Sequence, residues 1–585
     1  MNSFNVTQDA ILINGQKTKI ISGSIHYFRV PKEYWKDRLL KLKEAGCNCV
    51  DTYTIWSMHE KKEGLFDFSN NLDVGQFLDL AKECGLYAIV RPGPFICSET
   101  DFGGFPWWLL KYKDIHLRCS DPLYLSKITP YLNEVCKVLK PRTFRNGGNV
   151  IFVQIENEYG CFGSDKVYLN YLKTLYENNG LNVDYITSDN ETEFLLKNGG
   201  LDDVLKSINY RSDSIGCLKA LKEICPNQFG AVMELWNGIG TRYGEKIPHR
   251  ELQVVGDSIS NALKNAEIVN MYMFSGGTNF GFMNGALDNG KKFAVQTTSY
   301  DVAAPINECG QRTEKYYVEQ KAIFDYFGKK PAKSQLNDVV LGKFGEAKLK
   351  KKCSLDNILS QVGHVYNFAY LPTMEETDYG YGYIIYECDI RIGYKGCNLI
   401  MPEVHDVAHL YVDDEYVKTF YRNDEDKVYF IEKQGLRHIK ILVENLGRVN
   451  FGFRLKDYKG LVGDLLIESF DKFHFFSTAM DFKVTSLPFE EKFDVVDGEV
   501  HLNKPSLYEY EINVGEPNDC LLKIDGFTRG FILVNGFNIG RHWDIEYNHD
   551  NKLYVPKSLL NKGINKIVIF DVLENEKEKK VILGD

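Results

Sequence analysis

Two acidic side chains stand at the ends of apolar, strand-like segments of this sequence. Glu158 ends the segment NVIFVQIENE, and Glu234 follows GAVM and lies two residues before Trp236. Two carboxyl groups that face each other across a sugar ring can carry out retaining glycoside hydrolysis, in which one attacks the anomeric carbon and the other protonates the leaving oxygen. A single glutamate at such a place usually pairs with a lysine or arginine. Two at matching strand ends, beside aromatic residues, favour the chemical interpretation.

A third acidic residue, Glu156, lies two positions before Glu158. On an extended strand both side chains would project to one side, with Asn157 on the other. Two carboxylates on the same side of a substrate cannot be the two partners of one displacement. We therefore predict that Glu156 is a structural, hydrogen-bonding or ion-pairing residue and that Glu234 supplies the second catalytic carboxyl group.

The first 330 residues contain the elements that would position these glutamates. Apolar segments such as CNCVDTY, LYAIVRPGP and IVNMYMF alternate with helical ones such as EYWKDRLLKLKEAG. About eight such units predict an α/β fold, a parallel (β/α)8 TIM barrel. A doubly wound sheet is disfavoured because no glycine-rich phosphate loop follows the first strand. The C-terminal ends of barrel strands share one open face, and Glu158 and Glu234 would meet there.

Beyond the barrel the pattern changes to short alternating strands separated by turn residues, as in YGYIIYECDIRI and FILVNGFNIGRHW. This pattern predicts two all-β sandwich, jelly-roll-like domains. We predict the catalytic barrel at 1–330, a linker at 331–364, a first β-sandwich at 365–475 and a second at 476–585.

The composition excludes several classes of partner. A net charge of −10 and a pI near 5.8 argue against nucleic acid or an anionic membrane surface. No apolar stretch approaches eighteen residues and no export signal is apparent, so we expect no membrane association and a cytoplasmic location. The fourteen cysteines lack metal-ligand spacing, and His26 and His59 are expected to be wall residues, so neither a metal nor another cofactor is predicted. The oligomeric state is open, with a homodimer as one candidate.

Many motifs occur in an order that resembles glycoside hydrolase family 35, the group typified by β-galactosidases. They are GSIHYFRVPKEYW, TYTIWSMHE, RPGPFICSETDFGGFPWWLL, VQIENEYG, MELWNG, YMFSGGTNFGFMNGA and TTSYDVAAPINECGQRTEKY. Two later segments, GFILVNGFNIGRHW and KLYVPKSLLNKGINKIVIF, resemble the family's C-terminal sandwich. The resemblance spans nearly the whole chain.

The resemblance implies an exo-acting retaining β-galactosidase that removes terminal non-reducing β-D-galactose from oligosaccharides. Glu158 would be the acid/base and Glu234 the nucleophile. The residues implied to bind galactose are Tyr53, Cys97, Ser98, Glu99, Asn157, Trp236, Tyr272 and Tyr300.

These implied contacts make physical sense. Glu99 could accept hydrogen bonds from two hydroxyls, including an axial one, so that an equatorial epimer would leave it unpaired. Asn157 could donate to the 2-hydroxyl, and Tyr300 could orient Glu234. An ionised Glu234 nearby would raise the pKa of Glu158 and keep it protonated until it donates.

Four positions depart from the family pattern: Ile55, Thr100, Ile239 and Val302. Ile239 lies towards the leaving-group side and Thr100 near the rim, and all four departures leave the two glutamates unchanged. Two alternatives remain. The same barrel could act on another β-linked sugar such as glucosamine, which an acidic pocket would suit. The chain could instead be a non-catalytic sugar-binding protein that binds through its β-sandwiches.

Overall fold

The computed structural model describes residues 2–238, 240–246, 250–545 and 552–584. Ile239, one of the four departures, therefore lies outside the described residues. Within these ranges no helix combines the length and the apolar character needed to cross a bilayer.

Eight parallel strands close into a barrel, as the sequence predicted. Labelled β1 to β8, they are Ile20–Ser24, Cys49–Tyr53, Tyr87–Arg91, Val150–Gln154, Asp184–Asn190, Leu205–Tyr210, Ala231–Trp236 and Ile268–Tyr272. Each is followed by the helix of the same number. Helices α1 to α8 are Trp35–Glu44, Val74–Glu83, Pro122–Leu139, Lys166–Asn178, Glu193–Gly199, Ser214–Ile224, Leu252–Asn265 and Glu314–Tyr326.

Local sequence explains most of these elements. Strand β4 is buried at all five positions, because helices cover its outer face and side chains fill the barrel interior. Helix α3 begins where Pro122 takes the first helical position and the Asp121 carboxylate accepts a hydrogen bond of 2.9 Å from the Tyr124 backbone N–H.

Strand β6 is the barrel strand that hydrophobic patterning does not reveal. Its sequence, LKSINY, contains Ser207 and Asn209, both fully buried. The Ser207 hydroxyl donates to the Thr187 carbonyl at 2.6 Å, and the Asn209 side chain accepts from the Ser188 hydroxyl at 2.7 Å. Hydrogen bonds inside the barrel satisfy these buried polar groups, so the strand does not need the apolar sequence of its neighbours.

The first β domain is built from a six-stranded and a four-stranded antiparallel sheet around one core. In sheet order the six strands are His364–Phe368, Phe482–Leu487, Tyr383–Ile392, Gly435–Glu444, Val407–Val412 and Glu415–Tyr421. The four are Val428–Ile431, Cys397–Ile400, Leu466–Ser469 and Phe475–Thr478.

The second β domain has a five-stranded and a four-stranded sheet with a core of its own. The five strands are Lys348–Ser354, Ser506–Val514, Gly563–Asp571, Arg529–Val534 and Phe537–Trp543. The four are Gly345–Glu346, Lys580–Leu583, Cys520–Asp525 and Lys552–Val555.

Strand pairing crosses the boundaries that the sequence suggested. Lys348–Ser354, inside the predicted linker, pairs with Ser506–Val514 of the second β domain. Phe482–Leu487, placed by the sequence in the second sandwich, pairs with Tyr383–Ile392 of the first. The six-stranded and the five-stranded sheet therefore each contain a strand from outside the predicted segment of their domain. Local alternation cannot predict this, because the strands that pair are far apart in the sequence.

The connection between β8 and α8 reaches over the barrel mouth. Gly277–Thr278 pairs with Ser299–Tyr300, and Ala286–Asp288 pairs with Phe293–Val295. The first β domain packs against this connection, because the Ala286 N–H donates to the Arg448 carbonyl at 2.9 Å. The loops around the mouth are thus held from two domains.

Candidate active site

A pocket of about 350 Å³ opens at the C-terminal ends of the barrel strands. It brings together all ten residues singled out in the sequence: Tyr53, Cys97, Ser98, Glu99, Asn157, Glu158, Glu234, Trp236, Tyr272 and Tyr300. The lining also includes Ile96, Arg211, Gly238, Gly240, Met273 and Val302. Among the departures from the family pattern, Val302 thus faces the pocket.

Glu234, near the end of β7, is held by three hydrogen-bond donors. The Arg91 guanidinium donates to Oε1 at 2.6 Å, and the Tyr53 hydroxyl donates to the same oxygen at 2.9 Å. The Trp236 indole N–H donates to Oε2 at 2.8 Å. An ionised carboxyl group only accepts hydrogen bonds, so this arrangement suits a carboxylate with a fixed orientation.

The chain leaves its extended conformation before it reaches Glu158. Strand β4 ends at Gln154, and Glu156 and Glu158 both adopt left-handed backbone conformations, with φ of 58° and 47°. Asn157 and Glu158 line the pocket together, whereas Glu156 accepts hydrogen bonds of 2.9 and 2.8 Å from Arg118. The predicted strand alternation, with Asn157 opposite the two glutamates, was therefore wrong. The ion pair with Arg118 agrees with a structural role for Glu156.

Glu158 has a poorer set of partners than Glu234. Its Oε1 accepts one hydrogen bond of 3.2 Å, from the Asn209 amide. Burial, followed by the negative charge of Glu234, raises the pKa of Glu158 to about 8. At neutral pH this carboxyl group is therefore mostly protonated.

Arg91 and Asn157 connect the surroundings of the two carboxyl groups. The Asn157 side-chain oxygen accepts from Arg91 at 2.7 Å and from Gln154 at 3.2 Å, and it lies 3.0 Å from the Tyr53 hydroxyl. Arg91 is fully buried, and although burial by itself would lower its pKa, the negative charge of Glu234 helps to raise it. Sequence reasoning missed this arginine. The available signal was a charged residue at the end of the apolar segment LYAIV.

The opposite wall of the pocket contains Glu99 and two tyrosines. The Tyr300 hydroxyl donates to the Glu99 carboxylate and lies 3.3 Å from the Tyr272 hydroxyl. Burial raises the pKa of Glu99. The prediction that Tyr300 orients Glu234 is corrected here, because the hydrogen bonds to Glu234 come from β2, β3 and β7.

Three consecutive residues of this wall, Cys97, Ser98 and Glu99, have left-handed φ values of 55°, 50° and 50°. Such conformations are costly outside glycine and need support from their surroundings. Arg29 supplies part of it, since its guanidinium donates to the Ser98 hydroxyl at 2.7 Å and to the Ser98 carbonyl. Asn450, from the first β domain, donates to the Cys97 sulfur at 3.4 Å.

The two histidines near the mouth are buried wall residues. His26 has its Nδ1 2.6 Å from Arg29, and its ring packs against Tyr53 and Tyr272. Burial lowers the pKa of His26. His59 lies between the Tyr27 hydroxyl at 2.6 Å and a backbone carbonyl at 2.7 Å. In the part of the chain that the structure describes, no three His, Cys, Asp or Glu residues are arranged to hold a metal ion.

Comparison with known proteins shows the family to which this chain is similar. The model of glycosyl hydrolases family 35 matches residues 10–326. The model described as beta-galactosidase, first all-beta domain, matches residues 372–481. The model described as beta-galactosidase, galactose-binding domain, matches residues 505–565.

Full-length relatives agree with the family models. Human beta-galactosidase-1-like protein 3 is 34% identical over 573 residues, covering 96% of this chain and 85% of that protein. Human beta-galactosidase-1-like protein 2 is 35% identical over 584 residues, covering 94% and 87%. Human beta-galactosidase is 33% identical over 607 residues, covering 98% and 87%. With a family model over more than half its length and these relatives along nearly all of it, this chain belongs to glycosyl hydrolase family 35.

Proposed function

We propose that the protein is an exo-acting, retaining β-galactosidase that removes terminal non-reducing β-D-galactose from oligosaccharides. One observation carries the proposal: two carboxyl groups share a pocket but have opposite surroundings. Glu234 accepts three hydrogen bonds, two of them shorter than 2.9 Å, whereas Glu158 accepts one long bond and has a pKa raised to about 8. A retaining glycosidase needs this division, with one group ionised and the other protonated.

In the first step the Glu234 carboxylate attacks the anomeric carbon. The bond from that carbon to the leaving oxygen breaks, and Glu158 transfers its proton to this oxygen. The products of the step are a galactosyl ester on Glu234, the freed alcohol and an ionised Glu158. Arg91, Tyr53 and Trp236 keep the attacking group in place, which reduces the reorganisation needed to reach the transition state.

In the second step a water molecule attacks the same carbon and breaks the ester bond. The charge of Glu234 is absent from the ester, so the pKa of Glu158 falls and its carboxylate can accept the proton of the water. Free Glu234 and a protonated Glu158 are restored. Two displacements at one carbon give net retention of configuration.

Galactose is supported by the wall opposite the reacting glutamates and by the names of the relatives. Glu99, oriented by Tyr300, can accept hydrogen bonds from sugar hydroxyls, and Ser98 and Tyr272 supply hydroxyl groups beside it. A buried acceptor that loses its partner with the wrong epimer discriminates strongly. The same carboxylate could hold an amino sugar, so glucosaminides belong in the test.

The test compares 4-nitrophenyl β-galactoside, β-glucoside and β-glucosaminide with wild type and Glu234→Gly. We expect hydrolysis of the galactoside, with a loss of at least about 10⁴-fold in kcat in the variant, and partial rescue by azide with formation of α-galactosyl azide. Glu193→Gln is the control, since Glu193 is an exposed glutamate on α5.

Activity that survives in Glu234→Gly would overturn the assignment of the nucleophile. Preference for the glucosaminide would replace galactose by an amino sugar. If no glycoside is cleaved while galactose still binds, the protein is a sugar-binding module. NMR of the first-formed product checks retention independently.

A cytoplasmic location is also proposed, on the sequence, and a homodimer is one candidate for the oligomeric state. Cell fractionation with an antibody tests the first, and sedimentation equilibrium tests the second. Enzyme found only outside the cytoplasm, or a purified chain that sediments at 67.1 kDa, would end the respective proposal.

A further inference from the structure

Arg211 is an exposed cation at the lip of the otherwise acidic pocket. It directly follows β6, which ends at Tyr210, and it lines the same pocket as Glu158 and Glu234. Two residues earlier, Asn209 donates its hydrogen bond to Glu158. Under the proposed function Glu158 protonates the leaving oxygen, so Arg211 lies on the side where the leaving group sits.

The buried arginines around the pocket have defined protein partners. Arg91 contacts Glu234, Asn157 and Gln154, and Arg29 contacts Ser98 among others. Arg211 differs from both. Across residues 2–238, 240–246, 250–545 and 552–584 it makes no hydrogen bond or ion pair with another side chain or the backbone.

A second arginine lies near it. The Arg250 guanidinium donates to the Trp236 carbonyl at 2.8 Å and to the Ser258 hydroxyl at 3.1 Å. Within the described ranges Arg250 has no carboxylate within ion-pair distance. Burial and then the positive charge of Arg211 lower the pKa of Arg250, so the two cations repel each other. The negative charge of Glu319 acts on Arg250 and raises its pKa, but among the described residues no carboxylate forms an ion pair with either arginine. Two neighbouring arginines without an ion-pair partner form a place where an anion is favoured.

The two regions of the pocket therefore differ in charge. Glu99, Glu158 and Glu234 line the space for the non-reducing sugar, and the charge of Glu234 disfavours an anion there. Arg211, supported by Arg250, favours an anion immediately outside it. This separation lets one site bind a neutral ring on the inside and a negatively charged residue on the outside.

We propose that the leaving group of the natural substrate carries an oxyanion close to the galactosidic bond, and that Arg211 is the residue that selects it. This inference rests on the proposed function. Carboxylate, as in a uronic acid, and sulfate or phosphate esters share this chemistry. The guanidinium can bind each of them with two parallel hydrogen bonds, which a neutral sugar cannot match.

The experiment measures kcat/KM for 4-carboxyphenyl and 4-carbamoylphenyl β-galactoside, two aglycones of similar shape that differ by one charge. The ratio of the two values is compared between wild type and Arg211→Gln, because intrinsic leaving-group effects cancel in that comparison. We expect the ratio to fall about tenfold in Arg211→Gln and to remain mostly intact in Arg211→Lys. High salt should reduce the wild-type ratio, since the contact is exposed.

Lys219→Gln is the matched control. Lys219 lies on α6 with its side chain 75% exposed, so this variant removes one positive charge near β6 without touching the pocket. Its ratio should equal that of wild type. Galactosyl-glucuronate, galactosyl-glucose 6-sulfate and galactosyl-glucose 6-phosphate then identify which oxyanion is preferred.

An unchanged ratio in Arg211→Gln, or an equal fall in Lys219→Gln, would overturn the inference while hydrolysis of both galactosides upheld the proposed function. Absence of hydrolysis of every galactoside by the wild type would remove the proposed function itself. The two failures are therefore distinguishable.

Discussion

The surroundings of Glu234 and Glu158 differ more than the residues themselves. Glu234 receives hydrogen bonds from an arginine, a tyrosine and a tryptophan, all within 2.9 Å. Glu158 receives one, at 3.2 Å, from an amide. Both side chains are nearly buried, at 5% and 7% exposure, so burial alone does not separate them. Their partners differ instead: Glu234 has three close hydrogen-bond donors, whereas burial and the nearby charge of Glu234 raise the pKa of Glu158.

The two carboxyl groups also influence each other. The charge fixed on Glu234 is the second cause, after burial, of the raised pKa of Glu158. Arg91 touches both Glu234 and Asn157, the residue before Glu158. The two roles are thus set by one connected network, and changes on one side should be felt on the other.

After the loss expected on removal of Glu234, the largest effect should come from removing the proposed proton donor. For Glu158→Gln we expect a loss of about 10³-fold or more in kcat/KM with galactosyl-glucose, whose leaving group needs protonation, and a much smaller loss with 2,4-dinitrophenyl β-galactoside. Steady-state kinetics with a series of aryl galactosides measures this dependence on the leaving group. An equal loss for all substrates would show that Glu158 is not the acid.

Weakening the support of the nucleophile should have the next largest effect. Arg91→Lys keeps the charge but loses the planar donor set that reaches Glu234 and Asn157 together, so we expect kcat to fall about 10²-fold with little change in KM. Circular dichroism and thermal unfolding control for folding, since Arg91 is fully buried. Wild-type kcat in a folded Arg91→Lys protein would contradict the network described above.

Two tyrosines allow a matched comparison of the pocket walls. Tyr53→Phe removes a donor to Glu234, and Tyr300→Phe removes a donor to Glu99. We expect about a tenfold fall in kcat for the first and about a tenfold rise in KM for the second, because only Tyr53 contacts a reacting carboxylate. If Tyr53→Phe raises KM and Tyr300→Phe lowers kcat instead, the roles assigned to the Glu234 and Glu99 sides of the pocket are wrong.

The smallest effect concerns pH. The pKa of Glu158 is raised to about 8 and the proposed mechanism requires its protonated form, so kcat/KM should be constant near neutral pH and fall as the pH rises through about 8. In Glu234→Gln the carboxyl group of Glu158 should titrate at a lower pH, since a negative charge has been removed. Titration by NMR with ¹³C-labelled glutamate follows it directly.

Asn209→Ala should shift the pKa of Glu158 in the opposite direction, upward. The Asn209 amide stabilises ionised Glu158, so its loss should move the alkaline limb of kcat/KM upward. Two results together would contradict the coupling of the two carboxyl groups. The alkaline limb of kcat/KM would stay in place in Asn209→Ala, and the pKa of Glu158 would be unchanged in Glu234→Gln.

Several features were accessible from sequence because they depend on neighbouring residues. The apolar segments that alternate with helical ones predicted the barrel, the short alternating strands predicted the β domains, and the motifs around Glu158 and Glu234 predicted a shared pocket. Strand β6 was missed because its buried polar residues, Ser207 and Asn209, do not produce an apolar pattern. The domain boundaries differed from strand pairing because Lys348–Ser354 and Phe482–Leu487 pair with strands far away in the chain.

Within the site, the sequence could name residues but not their contacts. The alternation rule assigned Glu156 and Glu158 to one side, and it failed because β4 ends at Gln154 and both glutamates turn into left-handed conformations. The suggestion that Tyr300 could orient Glu234, which came with the family resemblance, also failed, because closure of the barrel brings Tyr53 to Glu234 instead. Only the closed barrel shows that Arg91 donates hydrogen bonds to both Glu234 and Asn157.

The sequence by itself determined the repeating strand–helix pattern, the family resemblance and the two candidate catalytic carboxyl groups. Only the tertiary structure shows the contacts that raise the pKa of Glu158 and that hold Glu234 in one orientation. The physical reason is that proton affinity depends on donors, charges and burial within a few ångströms. Those neighbours, such as Tyr53 for Glu234 at a separation of 181 residues, are assembled only when the barrel closes.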